Sequence, residues 1–215
     1  MTSRAQATLL GRMPIAECGE RLVKLRSGCN GIFVDMEETS RKAQELPKGQ
    51  CKVRATVALM LRKAQEHLPE GMHLKIIDGF RPLIAQKKIY LHHFRKFKRE
   101  RHIGDEEAGK ITDSWVSNPW KNVPPHSTGG TVDLTIADDE GNDLDMGSPV
   151  NSVSRRSLTR SRDISAKARR NRRLLIEAMT GAGFVNYENE WWHWSYGDRR
   201  WAVAKHKKAA IYGTR

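Results

Sequence analysis

Apolar residues recur at steps of three and four between positions 53 and 67, where Val53, Val57, Met60, Leu61 and Ala64 share one side of a helical wheel before Leu68, Pro69 and Gly71 end the pattern. This spacing predicts a helix over 53–67. The following Leu74-Lys75-Ile76-Ile77-Asp78, with its adjacent isoleucines, predicts a short buried strand. A second helical pattern opens at Arg81-Pro82 and continues to about Lys98, with Pro82 in the first turn, where its missing N–H is not needed. From Thr131 to Ala137, Val132, Leu134 and Ile136 alternate with Thr131, Asp133 and Thr135, which predicts a strand with one buried face and turns Asp133 away from it. Leu174, Leu175, Ala178, Met179 and a closing Gly181 predict a third helix over 165–181 with a basic outer side, and two aromatic-rich segments, 184–187 and 191–196, read as strands.

These elements do not alternate as they do in a doubly wound parallel sheet, so the expected fold class is α+β, a small antiparallel sheet flanked by helices. A chain of 215 residues without repeats or a long linker suits one catalytic domain over 1–215. No apolar run reaches the roughly 18 residues of a membrane helix. The stretch Ala7-Thr8-Leu9-Leu10 is too short for the apolar part of a secretion signal, so a cytoplasmic chain without membrane attachment is expected. Cys18, Cys29 and Cys51 are odd in number, widely spaced and without a Cys-x-x-Cys pair, which points to reduced thiols. The formal charge of +13 is concentrated: residues 155–173 hold nine Lys or Arg against one acid, Asp163, as a basic helix face or exposed loop would.

Candidate chemistry gathers in His126-Ser127-Thr128-Gly129-Gly130-Thr131-Val132-Asp133 and, far downstream, Glu190-Trp191-Trp192-His193. A lone Asp or His in such surroundings is more often structural, and only the combination of two imidazoles and two carboxylates raises the odds. Hydrolytic zinc sites use three protein ligands of the His, Asp, Glu or Cys type and leave a fourth position to water; His126, Asp133 and His193 supply such a set. The Gly129-Gly130 pair permits a sharp turn between His126 and Asp133. In a regular strand Glu190 and His193 would face opposite sides, so a turn or bulge is expected there to aim both into one cleft. Trp191, Trp192 and Trp194 are expected to pack as core and pocket walls.

Gly79-Phe80-Arg81-Pro82, the His126 to Asp133 spacing and Glu190-Trp191-Trp192-His193-Trp194 resemble the motifs of the D-alanyl-D-alanine dipeptidases associated with vancomycin resistance. The segment from Met13 to Val23 and Asp145-Met146-Gly147 extend the resemblance, in the right order, from about Pro14 to the aromatic C-terminal strands. The resemblance implies a Hedgehog/D,D-peptidase-like zinc peptidase fold and one Zn2+ per chain held by His126, Asp133 and His193. It also implies Glu190 as general base and acid, Arg81 as the group that stabilises the oxyanion, and a small D,D-dipeptide as substrate. The chemistry is consistent, because two neutral imidazoles and one carboxylate leave zinc with net positive charge and lower the pKa of its water toward about 7.

Two positions depart from the pattern: Asn151 stands where relatives often carry an acid for the substrate ammonium, and Pro124-Pro125 precede His126 where a hydroxyl is common. A D,D-carboxypeptidase or cell-wall endopeptidase of the same zinc fold is the second enzymatic reading. A nucleic-acid-binding protein would use 155–173 and Lys205-His206-Lys207-Lys208, yet no recognised nucleic-acid motif accompanies them and no such partner is expected. An inactive zinc-binding interaction module would have no need of Glu190 and Arg81. The oligomeric state is not readable from the sequence.

Overall fold

The structure, a computed structural model, describes residues 9–35 and 51–215. Ala7 and Thr8 of the short N-terminal apolar stretch lie outside the described residues. In chain order the main elements are β1 (Leu22–Leu25), β2 (Phe33–Val34), β3 (Cys51–Arg54), α1 (Ala55–Gln65), β4 (His73–Asp78), α2 (Leu83–Arg101), α3 (Asp105–Trp115), β5 (Thr131–Ala137), α4 (Ala166–Gly181), β6 (Val185–Tyr187), β7 (Glu190–Ser195) and α5 (Arg199–Ala204). Five strands form one sheet in the order β2-β4-β5-β7-β6, antiparallel except for the β2–β4 pair, and β1 with β3 forms a separate antiparallel ribbon. The α+β class expected from the pattern is the one observed.

The alternation along β5 sets the architecture. Val132, Leu134 and Ile136 join Leu74 and Ile76 of β4 in a core completed by Val57, Leu61 and Ala64 of α1, Leu175 and Met179 of α4, and the tryptophans of β7. Thr131, Asp133 and Thr135 occupy the opposite face, but they too are buried, so β5 has no solvated side. The expectation of a single buried face therefore fails. All three tryptophans Trp191, Trp192 and Trp194 are core residues, as expected.

Some boundaries differ from the pattern, and one helix lies outside it. The helix expected over 53–67 begins at Ala55, because Cys51 to Arg54 pair with β1 through Val53↔Val23 and Leu25↔Cys51; the periodicity of Val53 could not reveal that pairing. Pro82 is the N-cap of α2 (φ −53°, ψ 145°) and stands just before the first turn. Helix α3 had no counterpart in the pattern; Asp105, Glu106 and Glu107 in its first turn complement the helix dipole, and Ala108 and Thr112 are its buried positions. The third predicted helix is α4, with the Ser165 hydroxyl accepting the Ala168 N–H as its cap.

The basic run is only partly a solvated face. Lys167, Arg169, Arg170 and Arg173 are exposed, whereas Arg172 turns inward and is fully buried. Its guanidinium donates to the carbonyls of Met146, Leu158 and Arg156 at 2.6–2.7 Å, lies 5.3 Å from the Trp191 ring centroid, and burial lowers its pKa to about 10. One arginine of the run therefore braces the 146–158 loop. All three cysteines are free thiols, and no helix among the described residues is long and apolar enough to cross a membrane.

Candidate metal centre and active site

Strand register brings the site together. Asp133 pairs with Asp78 of β4 on one side and with His193 of β7 on the other, so the three lie in one row across the sheet. Two irregularities create this row. Between Ile76 and Asp78 the β4 register shifts by a residue against β5, which puts Asp78 rather than Ile77 opposite Asp133. Along β7 the register with β6 also shifts, Asn186 pairing with Trp194 and Tyr187 with Glu190, so that His193 Nδ1 and Glu190 Oε2 come within 3.7 Å. The bulge expected from the sequence is present.

His126 comes from a one-turn 3-10 helix, Pro125–Thr128, that ends at Gly129 with φ 72°. A left-handed residue there lets the chain reverse into β5, and a Cβ at the next residue, Gly130, would collide with the Tyr196 carbonyl. The Nδ1 of His126 lies 2.9 Å from the Gly79 carbonyl, which can only accept; the proton is therefore on Nδ1, and Nε2 is left with its lone pair toward Asp133 Oδ2, 3.4 Å away. His193 Nδ1 lies 3.0 Å from Asp133 Oδ1, and the two imidazole planes stand at 76°. One donor atom from each of His126, Asp133 and His193 can be chosen with all three within 4.8 Å of one another, and all three residues are buried.

This donor set fits a divalent metal. Two imidazole nitrogens and a carboxylate oxygen converge with one imidazole already fixed in its tautomer by a carbonyl, the outer arrangement typical of histidine ligands. Burial penalises the Asp133 carboxylate, yet His126 and His193 beside it hold its pKa well below the carboxylate range. Glu190 is half-buried, and burial, reinforced by Asp133, raises its pKa against the opposing pull of His193, His126 and Arg200.

Arg81 follows β4 and donates its backbone N–H to the His126 carbonyl at 3.1 Å. Its side chain donates from Nη2 to Asp78 at 2.5 Å and from Nη1 to Gln86 at 2.7 Å, while Nε is buried without a hydrogen-bond partner. A salt bridge to Asp78 is a structural alternative to a role for Arg81 at the reacting centre. It is formed, and the two are compatible: Asp78 orients the guanidinium, and the charges of Asp133 and Glu190 also act on it.

Several contributors carry no sequence signal of their own. Asn186 fills the β7 bulge, its amide donating to the carbonyls of Glu190 and His193 at 3.1 Å each, while its oxygen accepts from Thr159. Arg54, fully buried, donates to the Thr128 carbonyl at 2.7 Å and ties the His126 turn to Glu17 and Gly213. Only their cross-strand and cross-chain placement gives them meaning. Trp191, with Thr135 and the 143–150 loop, lines a cleft of about 310 Å³. Asn151 is exposed at φ 62°, and Pro125 opens the 3-10 turn that carries His126.

Similar proteins were found by sequence and by fold. A D-alanyl-D-alanine dipeptidase of Synechocystis sp. is 27% identical over 94% of both chains. The D-alanyl-D-alanine dipeptidase of Enterococcus faecium is 38% identical, over 66% of this chain and 71% of its own. Among solved structures, a vancomycin-resistance D,D-pentapeptidase in complex with Zn(II) aligns with a TM-score of 0.46 at 16% identity, over 77% of this chain and 84% of that one. Residues 34–210, which contain every site residue described above, match the D-ala-D-ala dipeptidase family of peptidases, and the chain belongs to that family.

Proposed function

We propose that this protein is a zinc-dependent D,D-dipeptidase that hydrolyses D-alanyl-D-alanine to two D-alanines. The observation that carries the reading is the convergence of His126, Asp133 and His193 in one buried cluster with Glu190 beside His193 and Arg81 beside Asp78. Zinc held by the three ligands would supply Lewis-acid polarisation of the scissile carbonyl and a water acidified toward neutral pH. Glu190, with its pKa raised by burial, is suited to take the proton of the attacking water and return it to the leaving amine. Arg81 stays protonated beside Asp78 and offers a donor to the oxygen that gains charge as the tetrahedral centre forms. The buried row Asp78, Asp133, His193 fixes these groups before substrate arrives. The whole chain serves as one catalytic domain in this reading.

Purified protein incubated with D-Ala-D-Ala should release D-alanine, lose that activity to a chelator and regain it with zinc, while Glu190→Ala should be inactive yet retain metal. Bound zinc without released D-alanine would keep the metal centre and move the substrate to a D,D-carboxypeptidase or cell-wall endopeptidase type, which a muropeptide assay would then reveal.

A further inference from the structure

Arg200 lies in the first turn of α5. Its Cζ is 3.9 Å from the centroid of the Tyr187 ring, and that ring meets the His193 ring edge-to-face at 5.9 Å. Tyr187 is also the β6 partner of Glu190. A guanidinium over the ring of a residue that adjoins two site residues is therefore held close to the candidate site.

Among the described residues Arg200 has no hydrogen-bond acceptor. Its Nε is buried and makes no hydrogen bond, and among the described residues no carboxylate lies within ion-pair distance of it. Arg81 and Arg199 likewise have a buried Nε without a partner, but other arginines near the site have acceptors for the rest of their guanidinium. Arg54 and Arg172 are saturated by carbonyls and, for Arg54, by Glu17; Arg81 is committed to Asp78 and Gln86. A planar fork, held by stacking and left without a protein acceptor, matches the geometry of an incoming carboxylate.

We propose that Arg200 binds the C-terminal carboxylate of the peptide, and so confines cleavage to substrates whose free carboxylate end lies next to the scissile bond. This deepens the dipeptidase reading and rests on it. It also divides the work between two arginines: Arg81, oriented by Asp78, serves the scissile carbonyl, while Arg200, oriented by Tyr187, serves the substrate terminus.

The test compares D-Ala-D-Ala with its C-terminal amide in the zinc-loaded wild type and in Arg200→Ala, Arg200→Lys and Lys205→Ala. The last removes the same charge from an exposed position at the end of α5. Arg200→Ala should lose about 10- to 100-fold in kcat/KM on the acid, mainly through KM, and be unchanged on the amide. Arg200→Lys should recover part of the loss, and Lys205→Ala should behave as wild type. Independently of turnover, N-acetyl-D-alanine should bind the wild type by saturation-transfer NMR and fail to bind Arg200→Ala. Equal losses on acid and amide, or no loss on the acid with carboxylate binding intact, would overturn the assignment. Should the wild type cleave neither compound, the dipeptidase reading fails and the binding titration alone decides on Arg200. If Arg200→Ala does not fold, Arg200→Lys and Arg200→Gln decide by the same acid-to-amide ratio.

Discussion

The imidazole of His126 and the carbonyl of Gly79 are joined across 2.9 Å, and this one bond decides which nitrogen of His126 is free for a metal. Gly79 sits where nothing larger fits: a Cβ there would stand 2.7 Å from the Lys52 carbonyl and 2.9 Å from the Cys51 sulfur. The ribbon strand β3 thus presses against the segment that orients His126, with Phe80 N–H bonded to the Lys52 carbonyl at 2.7 Å. Gly79→Ala is expected to cost about 1–3 kcal/mol of stability through overpacking and to shift the carbonyl away from Nδ1. Thermal unfolding and the zinc retained after dialysis against a competing chelator should both fall. Unchanged values in both would show that the contact is slack.

The pair Asp78 and Arg81 predicts a separation of charge from orientation. Asp78 is completely buried, and its Oδ2 meets Arg81 Nη2 at 2.5 Å. Arg81→Ala should reduce kcat about 10²–10³-fold if the guanidinium serves the oxyanion, and should also cost about 3 kcal/mol because a buried carboxylate, still bonded to the Gly79 N–H, loses its cationic partner. Asp78→Asn keeps the cation and removes only its anchor. That variant should bind zinc normally and show a smaller drop in kcat, about tenfold, as expected for a loosened donor. A kcat for Asp78→Asn equal to wild type would mean that Arg81 needs no orientation from this side.

His126, Asp133, His193, Glu190 and Arg81 stand out in the sequence because each lies inside a short local motif whose residue types are unusual together. Their convergence does not. The row Asp78, Asp133, His193 depends on a register shift in β4 that the run Ile76-Ile77-Asp78 does not announce, since a strand pattern read in isolation carries no partner. The bulge in β7 was foreseeable only because Glu190 and His193 had to face one cleft. Helix α3 was missed because its buried face is small, Ala108 and Thr112, and leaves little apolar periodicity. Val53 was assigned to a helix because its strand pairing with Val23 is a contact of the folded chain alone.

Asn186 shows what such a non-local residue contributes. Its single amide group donates into the β7 bulge, to the carbonyls of Glu190 and His193, beside the register shift. Asn186→Ala would leave these carbonyls unsatisfied in a half-buried strand, at a cost of about 1–3 kcal/mol. It would also release the distance between Glu190 and His193. The expected result is a lowered melting temperature with a fall in kcat that exceeds any fall in zinc content. A variant that loses stability but keeps kcat in the folded fraction would restrict Asn186 to a structural part.

The acid stability of the fold should follow Glu17 and Glu20. Burial by itself would raise both pKa values, but Arg54, with the Gly213 and Gly19 amides, lowers that of Glu17, and Tyr212, with the Thr56 amide, lowers that of Glu20. A carboxylate whose folded pKa lies below its unfolded value stabilises the protein above that unfolded value, here 4.5, and loses its contribution as pH falls through the folded pKa. Stability should therefore be flat from neutral pH down to about 5 in this respect, then decline. Glu17→Gln should lower stability at pH 7 by roughly 1–2 kcal/mol, the modest end for a charge-assisted pair because Glu17 is about one-third exposed, and should flatten the decline below 4.5. Urea unfolding between pH 3 and 7 measures both. Because the same Arg54 donates to the Thr128 carbonyl in the turn that carries His126, the acid limb should coincide with loss of zinc from the folded protein. An acid limb identical in wild type and Glu17→Gln would remove Arg54 and Glu17 as its source.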